Sequence, residues 1–149
     1  MLSASFVLAL FMRTTSPALA AESPAPSPVD WSVASKRSRH ECHPILIELG
    51  APWCAACHAM DSGVLGSNDF KGLSRDLIVY RADVDDEDGK SFQKRFLAPY
   101  LPTYILIRPD GSEVGRMIGW QPDGRFLTRL SSWLKRSKET PCPSSSSKT

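Results

Sequence analysis

The chain has 149 residues and a formal net charge of +2, with 42% hydrophobic and 23% charged residues. This composition is typical of one globular domain with a modest core, and the length leaves no room for a second domain of ordinary size. The basic residues are scattered and form no continuous basic face, so nucleic acid is not expected as a partner.

An apolar segment opens the sequence. Residues 2–12 form an apolar run, and Ala18-Leu19-Ala20 has the small-x-small pattern of a signal-peptidase site. Residues 1–20 are therefore predicted to be a signal peptide, and the protein is expected in the periplasm or another exported location. The run is shorter than the roughly 20 residues that span a bilayer. Whether the segment is removed or remains as an anchor stays open.

Residues 21–40 contain a proline-rich stretch followed by a short basic cluster. Alternating prolines favour an extended chain that does not pack, so we predict a tether and a solvated lead-in here. At the other end, the prolines and serines of residues 139–149 cannot continue a helix or bury apolar surface, which predicts a flexible tail. The folded domain is therefore placed at residues 41–138.

Within residues 41–138 the pattern alternates between strands and helices. The predicted elements are a strand at 45–49, a helix at 54–60, a strand at 77–84, a helix at 85–96, strands at 103–107 and 113–118, and a helix at 122–138. The turn Pro109-Asp110-Gly111 predicts that the third and fourth strands form a hairpin. Trp31, Trp120 and Trp133 are expected to pack in the core.

Cys54 and Cys57 stand at the predicted start of a helix, directly after Trp53. A helix N-terminus offers free N–H groups and a positive potential, and both stabilise a thiolate. Cys54 is therefore the candidate nucleophile towards a substrate disulfide, and Cys57, one turn further along, would resolve the mixed disulfide. The pair is predicted to be a redox-active disulfide.

Two acids are candidates for assisting this chemistry. Glu48 interrupts the apolar strand at 45–49, and a carboxylate in such surroundings has a raised pKa suited to accepting the proton of the resolving thiol. The alternative is a strand-edge acid that points to solvent. Asp61 lies one helical turn after Cys57 and could approach the same thiol, or it could be an ordinary exposed acid of the helix.

Two motifs suggest a family: Ile45 to Cys57 reads ILIELGAPWCAAC, and Leu101-Pro102-Thr103 follows further along the chain. In this order and spacing they resemble thioredoxins. The resemblance implies a thioredoxin fold, which is an α/β fold with a central mixed sheet, helices on both faces and the Cys-x-x-Cys motif at a helix N-terminus. It also implies that Leu101, Pro102 and Thr103 form a substrate-binding segment, in which Pro102 is a cis-proline facing the dithiol and the backbone of Leu101 pairs with an extended part of the substrate. Trp53 is implied to be an apolar docking platform.

Within the superfamily, the sequence is most similar to the C-terminal periplasmic domain of the DsbD electron conductors and their single-domain relatives. These proteins carry an acid six residues before the first cysteine and an acid four residues after the second. Glu48 and Asp61 occupy those positions, although aspartate is usual at the first. Ala55-Ala56 also departs from the Gly-Pro of cytoplasmic thioredoxins. The resemblance implies protein disulfides or thiols as substrates, a membrane electron donor and no cofactor.

Other classes of site remain open for the same residues. The segment from Cys54 to His58 matches the Cys-x-x-Cys-His pattern of covalent c-type haem attachment, although a small cytochrome is mostly helical. Zinc could bind through Cys54, Cys57 and His43 or His40, but one Cys-x-x-Cys without a second ligand pair is a weak zinc signature, and no metal is predicted. A non-enzymatic redox partner or assembly module with this fold is the remaining alternative.

A second pair of cysteines, Cys42 and Cys142, lies just before the first core strand and just past the last helix. In a thioredoxin fold both positions fall at the end opposite Cys54, which makes a structural disulfide plausible in an exported chain. It would close a loop of about 100 residues, for which the chain-entropy model gives roughly 4–5 kcal/mol. The alternative is two unpaired thiols.

The sequence thus predicts an exported, monomeric thiol:disulfide oxidoreductase that reduces the disulfides of protein partners. Reduction is preferred because of the resemblance to DsbD and because the Ala55-Ala56 spacer adds no charge that would hold the Cys54 thiolate unusually stable. An unusually stable thiolate is what makes a dithiol oxidising. A disulfide oxidase or isomerase is the alternative, and the fold does not identify the substrate or the electron donor.

Overall fold

The computed structural model describes residues 30–139 and residue 142. The helices are α1 (Trp31–Glu41), α2 (Ala55–Ser62), α3 (Asn68–Leu73), α4 (Glu87–Phe96) and α5 (Asp123–Ser137). The strands are β1 (Ile45–Gly50), β2 (Ile78–Asp83), β3 (Thr103–Ile107) and β4 (Glu113–Ile118). Short 3-10 turns flank α3 at Val64–Gly66 and Ser74–Asp76. None of the described helices combines the length and apolarity needed to cross a membrane.

The four strands form one mixed sheet in the order β2-β1-β3-β4. β1 pairs parallel with β2 and antiparallel with β3, and β3 pairs antiparallel with β4. The parallel pair requires a crossover connection, which α2 and α3 provide. β1 is central and is buried from Ile45 to Leu49, as its nearly continuous apolar run predicted. The predicted α/β class with a central mixed sheet and helices on both faces is confirmed.

Two apolar cores lie on opposite faces of this sheet. Beneath α1 and α4, the Trp31 ring packs edge-on against Tyr80 and Phe92, with ring centroids 5.2 and 4.7 Å apart. On the other face, Phe126 of α5 packs edge-on against Tyr104 at 4.9 Å. Such aromatic pairs contribute about 0.5–1.5 kcal/mol each beyond the area that they bury. The sheet is therefore held between two independently packed layers of helix.

The domain begins earlier than predicted. The predicted start at residue 41 is wrong, because Trp31–Glu41 fold as a helix that packs on the sheet. Asp30 caps this helix by accepting a hydrogen bond from a backbone N–H two residues later, at 2.6 Å. Ser38 is buried and its hydroxyl donates to a backbone carbonyl beyond the helix at 2.6 Å. Residues 36–40, predicted as a solvated lead-in, are thus part of a packed helix with one face in water.

Other elements lie close to their predicted positions. The β3-β4 hairpin turns at Gly111, whose φ of 86° is a conformation that favours glycine. The helix α3 was not predicted; Ser67 caps it by accepting a hydrogen bond from the N–H of Phe70 at 3.1 Å. Trp133 packs in the core as predicted. The prediction for Trp120 is wrong, since 57% of its surface is exposed.

Cys42 and Cys142 are joined by a disulfide, with their Cα atoms 5.7 Å apart. Cys42 follows α1 and precedes the start of β1, and the bridge therefore ties the segment beyond α5 to the end of the sheet opposite the end of β1. The predicted signal peptide, residues 21–29 of the predicted tether, and the predicted tail apart from residues 139 and 142 lie outside the described residues.

Candidate active site

Cys54 and Cys57 lie where β1 ends and α2 begins. Cys54 is the N-cap of α2, and its sulfur accepts a hydrogen bond from the N–H of Cys57 at 3.1 Å. The two sulfur atoms are bonded in a disulfide, and both side chains are buried. A sulfur that caps a helix N-terminus lies in the positive potential of the helix dipole and receives a backbone hydrogen bond. After reduction, this position favours a thiolate on Cys54.

Glu48 lies in the central strand and is only 4% exposed, so its side chain does not point to solvent. Burial raises the pKa of Glu48 to about 7, against the opposing effect of the nearby Arg81 charge. The hydroxyl of Tyr104 donates a hydrogen bond of 3.5 Å to Glu48 Oε1. A carboxyl with a pKa near neutrality can both take up and release a proton at physiological pH.

Asp61 of α2 is linked to Glu48 through an arginine of the neighbouring strand. The guanidinium of Arg81 lies 2.8 Å from Asp61 Oδ1 and 3.4 Å from Glu48 Oε2. Arg81 is half-exposed, and Asp61 lies at the boundary of the site with solvent. The charge of Asp61 also contributes to raising the pKa of Glu48. The two predicted acids are therefore brought together, with one cation between them.

A cleft of about 350 Å³ connects the two acids and Arg81 with the dithiol. Its walls include Glu48, Cys57, His58, Asp61 and Arg81. A single water molecule needs only about 10–15 Å³ of such space. The cleft is therefore large enough for water to connect the Glu48 carboxyl with the Cys57 sulfur. Of the two cysteines, Cys57 lines this cleft together with Glu48, and Cys54 does not.

Pro102 lies at the same end of the sheet. Thr103 pairs with Leu49 in the β1-β3 ladder, so Pro102 lies beside Gly50, at the end of β1. A Cβ on Gly50 would lie 3.4 Å from the sulfur of Cys57, which places this strand end directly against the dithiol. The peptide bond before Pro102 is cis. Leu101 packs against the apolar cluster that contains both cysteines.

Several large apolar side chains are exposed beside the dithiol or on the chain that leads to Pro102. Trp53 is 67% exposed, and its indole N–H donates to Asp85 at 2.7 Å, which fixes the ring beside Cys54. Tyr100 and Leu97, on the chain that leads to Pro102, are exposed as well. Trp120 also lies at this end, because the preceding residue, Gly119, donates its N–H to the carbonyl of Pro102 at 2.7 Å. This arrangement explains why Trp120 is outside the core: it follows an edge strand at the rim of the site.

A family model described as a thioredoxin-like domain matches residues 31–132, which is more than half of the chain and includes the whole sheet. The chain belongs to the thioredoxin-like family. It is 32% identical over 107 residues to the thiol:disulfide interchange protein DsbD of Pseudomonas fluorescens, an alignment that covers 69% of this chain and 18% of that protein. It is 30% identical over 91 residues to a thioredoxin of Mycolicibacterium smegmatis, covering 61% and 79% of the two chains. The predicted resemblance to thioredoxins and to DsbD is confirmed.

Solved structures show the same fold. A thioredoxin from Thermus thermophilus superposes with a TM-score of 0.63 at 24% identity, covering 68% of this chain and 82% of that one. The oxidised C-terminal domain of DsbD from Neisseria meningitidis superposes with a TM-score of 0.60 at 16% identity, covering 68% and 90%. This thioredoxin-like chain spans less than a fifth of the length of the DsbD relatives that it matches.

Two other classes of site were considered for these cysteines, covalent haem attachment and zinc binding, and the fold can be compared with what each of them needs. The Cys-x-x-Cys-His segment stands in front of a mixed sheet, whereas the haem alternative implies a mostly helical protein. Among residues 30–139 and 142, no group of three or more histidine, cysteine or acidic side chains is arranged to hold a metal ion. His58 instead places a ring nitrogen 2.7 Å from the carbonyl oxygen of Pro52 and so contacts the loop before the dithiol.

Arg81 and Tyr104 are the site residues that sequence reasoning missed. Both occupy strands next to Glu48, and both are paired with it in register. A signal for Arg81 was present, because it is a lone cation in the apolar strand Leu77–Val84 and a buried acid needs a nearby partner. Tyr104 gave no such signal, since an aromatic residue in a buried strand is ordinary.

Proposed function

We propose that the protein is an exported protein-disulfide reductase that acts through the Cys54/Cys57 dithiol. The observation that supports this most directly is the arrangement of the dithiol: one sulfur caps a helix, and a buried acid with a pKa near neutrality shares a cleft with the other. Nothing in this arrangement needs a cofactor. The whole activity consists of thiol and disulfide exchange between side chains.

The first step is attack by the Cys54 thiolate on a disulfide of the partner protein. A bond forms between Cys54 Sγ and one partner sulfur, the partner disulfide breaks, and the other partner sulfur leaves as a thiolate. The capping position on α2 favours the anionic form of Cys54 at this stage. The product is a mixed disulfide between the two proteins.

The second step releases the partner. Glu48, in its carboxylate form, accepts the proton of the Cys57 thiol through water in the cleft. The Cys57 thiolate then attacks Cys54 Sγ, the Cys54–Cys57 disulfide forms, and the second partner sulfur leaves as a thiolate that takes a proton from water. The partner gains two electrons and the dithiol loses two. A membrane electron donor with a dithiol of its own would return the pair to the reduced state.

Substrate contacts are assigned to the rim of the dithiol. The exposed Trp53 ring provides an apolar platform, and the backbone of Leu101, which precedes the cis peptide bond, offers pairing to an extended segment that carries the partner cysteine. The apolar run at residues 2–12 and the site at Ala18-Leu19-Ala20 support export. The protein acts as a monomer in this proposal, since the dithiol, the acids and the docking loop all belong to one chain.

The direction of electron flow is tested by the reduction potential of the Cys54/Cys57 pair. Mature protein is equilibrated in defined thiol buffers, and alkylated cysteines are counted by mass. A potential near or below about −220 mV is expected, because the Ala55-Ala56 spacer adds no charge that stabilises the Cys54 thiolate. A potential between about −120 and −180 mV would assign the protein to disulfide donors and isomerases and contradict the proposal.

The division of roles between the cysteines is tested by trapping. Cys57→Ser is expected to accumulate a covalent complex with a disulfide-bearing protein such as insulin, because the second step is blocked. Cys54→Ser, the matched control, should trap nothing. Non-reducing electrophoresis with mass spectrometry measures both, and equal trapping by the two variants would contradict the assignment of Cys54 as nucleophile.

A further inference from the structure

A tight turn leads from β1 into the helix that contains the dithiol. It covers residues 51–54: the N–H of Cys54 donates to the carbonyl of Ala51 at 3.0 Å, so Pro52 and Trp53 are the two central residues of the turn. Trp53 is not among the described residues that have a positive φ. The turn is therefore not of type II, which needs a positive φ at its third residue.

The peptide between Pro52 and Trp53 is the part of this turn that can flip. Type I and type II turns differ mainly by a rotation of this one peptide, which turns its carbonyl to the opposite side. Here the carbonyl oxygen of Pro52 lies 2.7 Å from Nε2 of His58, an exposed residue of α2. Because a carbonyl oxygen only accepts hydrogen bonds, Nε2 must bear a proton, as it does in one neutral tautomer and in the imidazolium.

His58 binds the main chain on both sides of the Cys54 side chain. It lies one helical turn after Cys54, and its backbone N–H donates to the Cys54 carbonyl at 3.2 Å, while its ring reaches back to the Pro52 carbonyl. Cys54 is the N-cap of α2 with an extended φ of −83° and ψ of 97°, and its sulfur accepts the N–H of Cys57 at 3.1 Å. An N-cap side chain can accept such a bond only while its residue keeps this non-helical conformation.

We propose that His58 is a positioning residue for Cys54. Its Nε2–H fixes the central carbonyl of the turn, the fixed turn keeps Cys54 in the N-cap conformation, and in this conformation the sulfur keeps the hydrogen bond from Cys57 after reduction. This inference rests on the role of Cys54 as the attacking thiolate in the proposed function. The His58 ring binds main chain and transfers no proton, so a residue that follows the second cysteine acts on the first one through the turn.

The donor and the charge of the His58 ring are two separate influences on Cys54. The charge would act together with the other charged and titratable groups on the cleft that His58 lines, which are Glu48 of β1, Cys57 and Asp61 of α2, Arg81 and Asp83 of β2, and Asp86 before α4. A glutamine side chain separates the two influences, because its amide offers an N–H at a similar reach and is never charged. The inference assigns the effect to the donor.

The test follows formation of the Cys54 thiolate. The dithiol is reduced while Cys42–Cys142 stays oxidised, and the rate at which iodoacetamide alkylates Cys54 is measured by mass spectrometry across a range of pH. The midpoint of this profile reports the thiolate, which is the reactive form. For His58→Leu the midpoint is expected to rise by about 0.7 pH unit, a roughly fivefold loss of thiolate below the midpoint, which matches the loss of one ordinary hydrogen bond. Leucine is a good helix former, and position 58 is exposed, so this variant is expected to fold.

Two comparisons make the result specific. His58→Gln should keep the wild-type midpoint, because it keeps the donor without the charge, and so should His40→Leu, the same replacement at an exposed position of α1. The inference is overturned if His58→Leu overlays the wild type, or if His58→Gln shifts as far as His58→Leu, which would assign the effect to the ring charge. A wild-type midpoint at the value of an ordinary thiol, about 8.5, would contradict the thiolate role of Cys54 in the proposed function, while the comparison of variants still decides the role of His58.

Discussion

Burial of the Glu48 carboxyl is unfavourable for the ionised form of this side chain. A carboxyl in a buried strand loses most of its hydration, and burial is the largest cause of its raised pKa. Arg81 and Tyr104, its partners on the neighbouring strands, replace only part of this lost hydration, because Arg81 is half-exposed and the Tyr104 hydrogen bond is long at 3.5 Å. The ionised form is therefore disfavoured in the folded protein at neutral pH, and this preference must appear as pH-dependent stability.

The sign of that dependence follows from the raised pKa. Glu48 titrates at about 7 when folded, against about 4.3–4.5 for an unfolded glutamate. Between these values the unfolded chain releases the proton and the folded protein keeps it, so the free energy of unfolding falls as the pH rises from about 4.5 to 7 and stays lower above 7. A shift of this size corresponds to roughly 3 kcal/mol.

Urea unfolding of the oxidised protein at steps from pH 4.5 to 8 measures this effect. Glu48→Gln is expected to remove most of the Glu48 contribution and to be the more stable protein at pH 8. Glu113→Gln is the matched control, because Glu113 lies at the surface in a pair with Arg116 and should leave the decline in place. A Glu48→Gln variant with the same decline as the wild type would show that another group causes it.

At the scale of single residues, the sequence identified the groups whose chemistry is unusual for their surroundings. Two cysteines at a helix start and an acid in an apolar strand are such cases, and the structure places Cys57, Glu48 and Asp61 on one cleft. Trp120 was misplaced because hydrophobicity alone does not distinguish a core residue from one at the rim of a site. Its exposure depends on the path of the chain after an edge strand, which is a property of the tertiary fold.

At the scale of elements, α1 is the helix that the hydrophobic pattern of the sequence did not predict. Only a narrow side of this helix faces the sheet, and its buried positions include a serine and an alanine, so its sequence is mostly polar. The prolines before it and the basic cluster within it favoured an interpretation as tether. The ring contacts of Trp31 with Tyr80 and Phe92 hold this segment on the sheet as a helix. These contacts join residues that are far apart in the sequence, so the residues around Trp31 alone do not predict them.

The contribution of α1 can be measured at Trp31. Replacing Trp31 by alanine removes its ring contacts with Tyr80 and Phe92 and is expected to lower the free energy of unfolding by about 3 kcal/mol. Val33→Ala on the exposed face of the same helix is the control and should change it by less than about 0.5 kcal/mol. Denaturant unfolding gives both values, and equal effects would mean that α1 does not anchor on the sheet through Trp31.

The approach of α4 to the end of β2 depends on Gly89. A Cβ on residue 89 would lie 1.8 Å from the backbone carbonyl oxygen of Asp83. This oxygen can move away only if the backbone at the end of β2 shifts, which costs free energy. Gly89→Ala is therefore expected to destabilise the protein by at least about 2 kcal/mol. Gly72→Ala in α3 meets nothing within 4 Å and should stabilise it by about 0.5–1 kcal/mol. Thermal unfolding of the two variants should show shifts in opposite directions.

At the scale of the whole molecule, the order of elements was predictable because each strand and turn carries its own local signal. The family resemblance supplied the long-range pairing that local signals lack, such as the position of Pro102 next to the end of β1. The sequence separation of Cys42 and Cys142 gave no such local signal, and their proximity followed only from the direction in which β1 and α5 run.

The Cys42–Cys142 disulfide is expected to contribute to stability and not to exchange chemistry. Joining residues 100 positions apart restricts the unfolded chain, and the entropy model gives at most about 4.7 kcal/mol for such a loop. The double variant Cys42→Ala/Cys142→Ala should lose a large part of this in urea unfolding and keep the potential of the Cys54/Cys57 pair. A changed potential, with stability unaffected, would reverse the roles assigned to the two bridges.

The same bridge makes the domain a closed covalent ring. Every described strand, Cys54, Cys57 and all of the described helices except α1 lie between residues 42 and 142. A protease that cuts one loop inside this ring therefore opens it without releasing a fragment, and the two pieces remain one molecule of unchanged mass apart from the added water. Separation requires a reductant, so the disulfide reduction that we propose for an intact copy is the chemistry that would take a nicked copy apart.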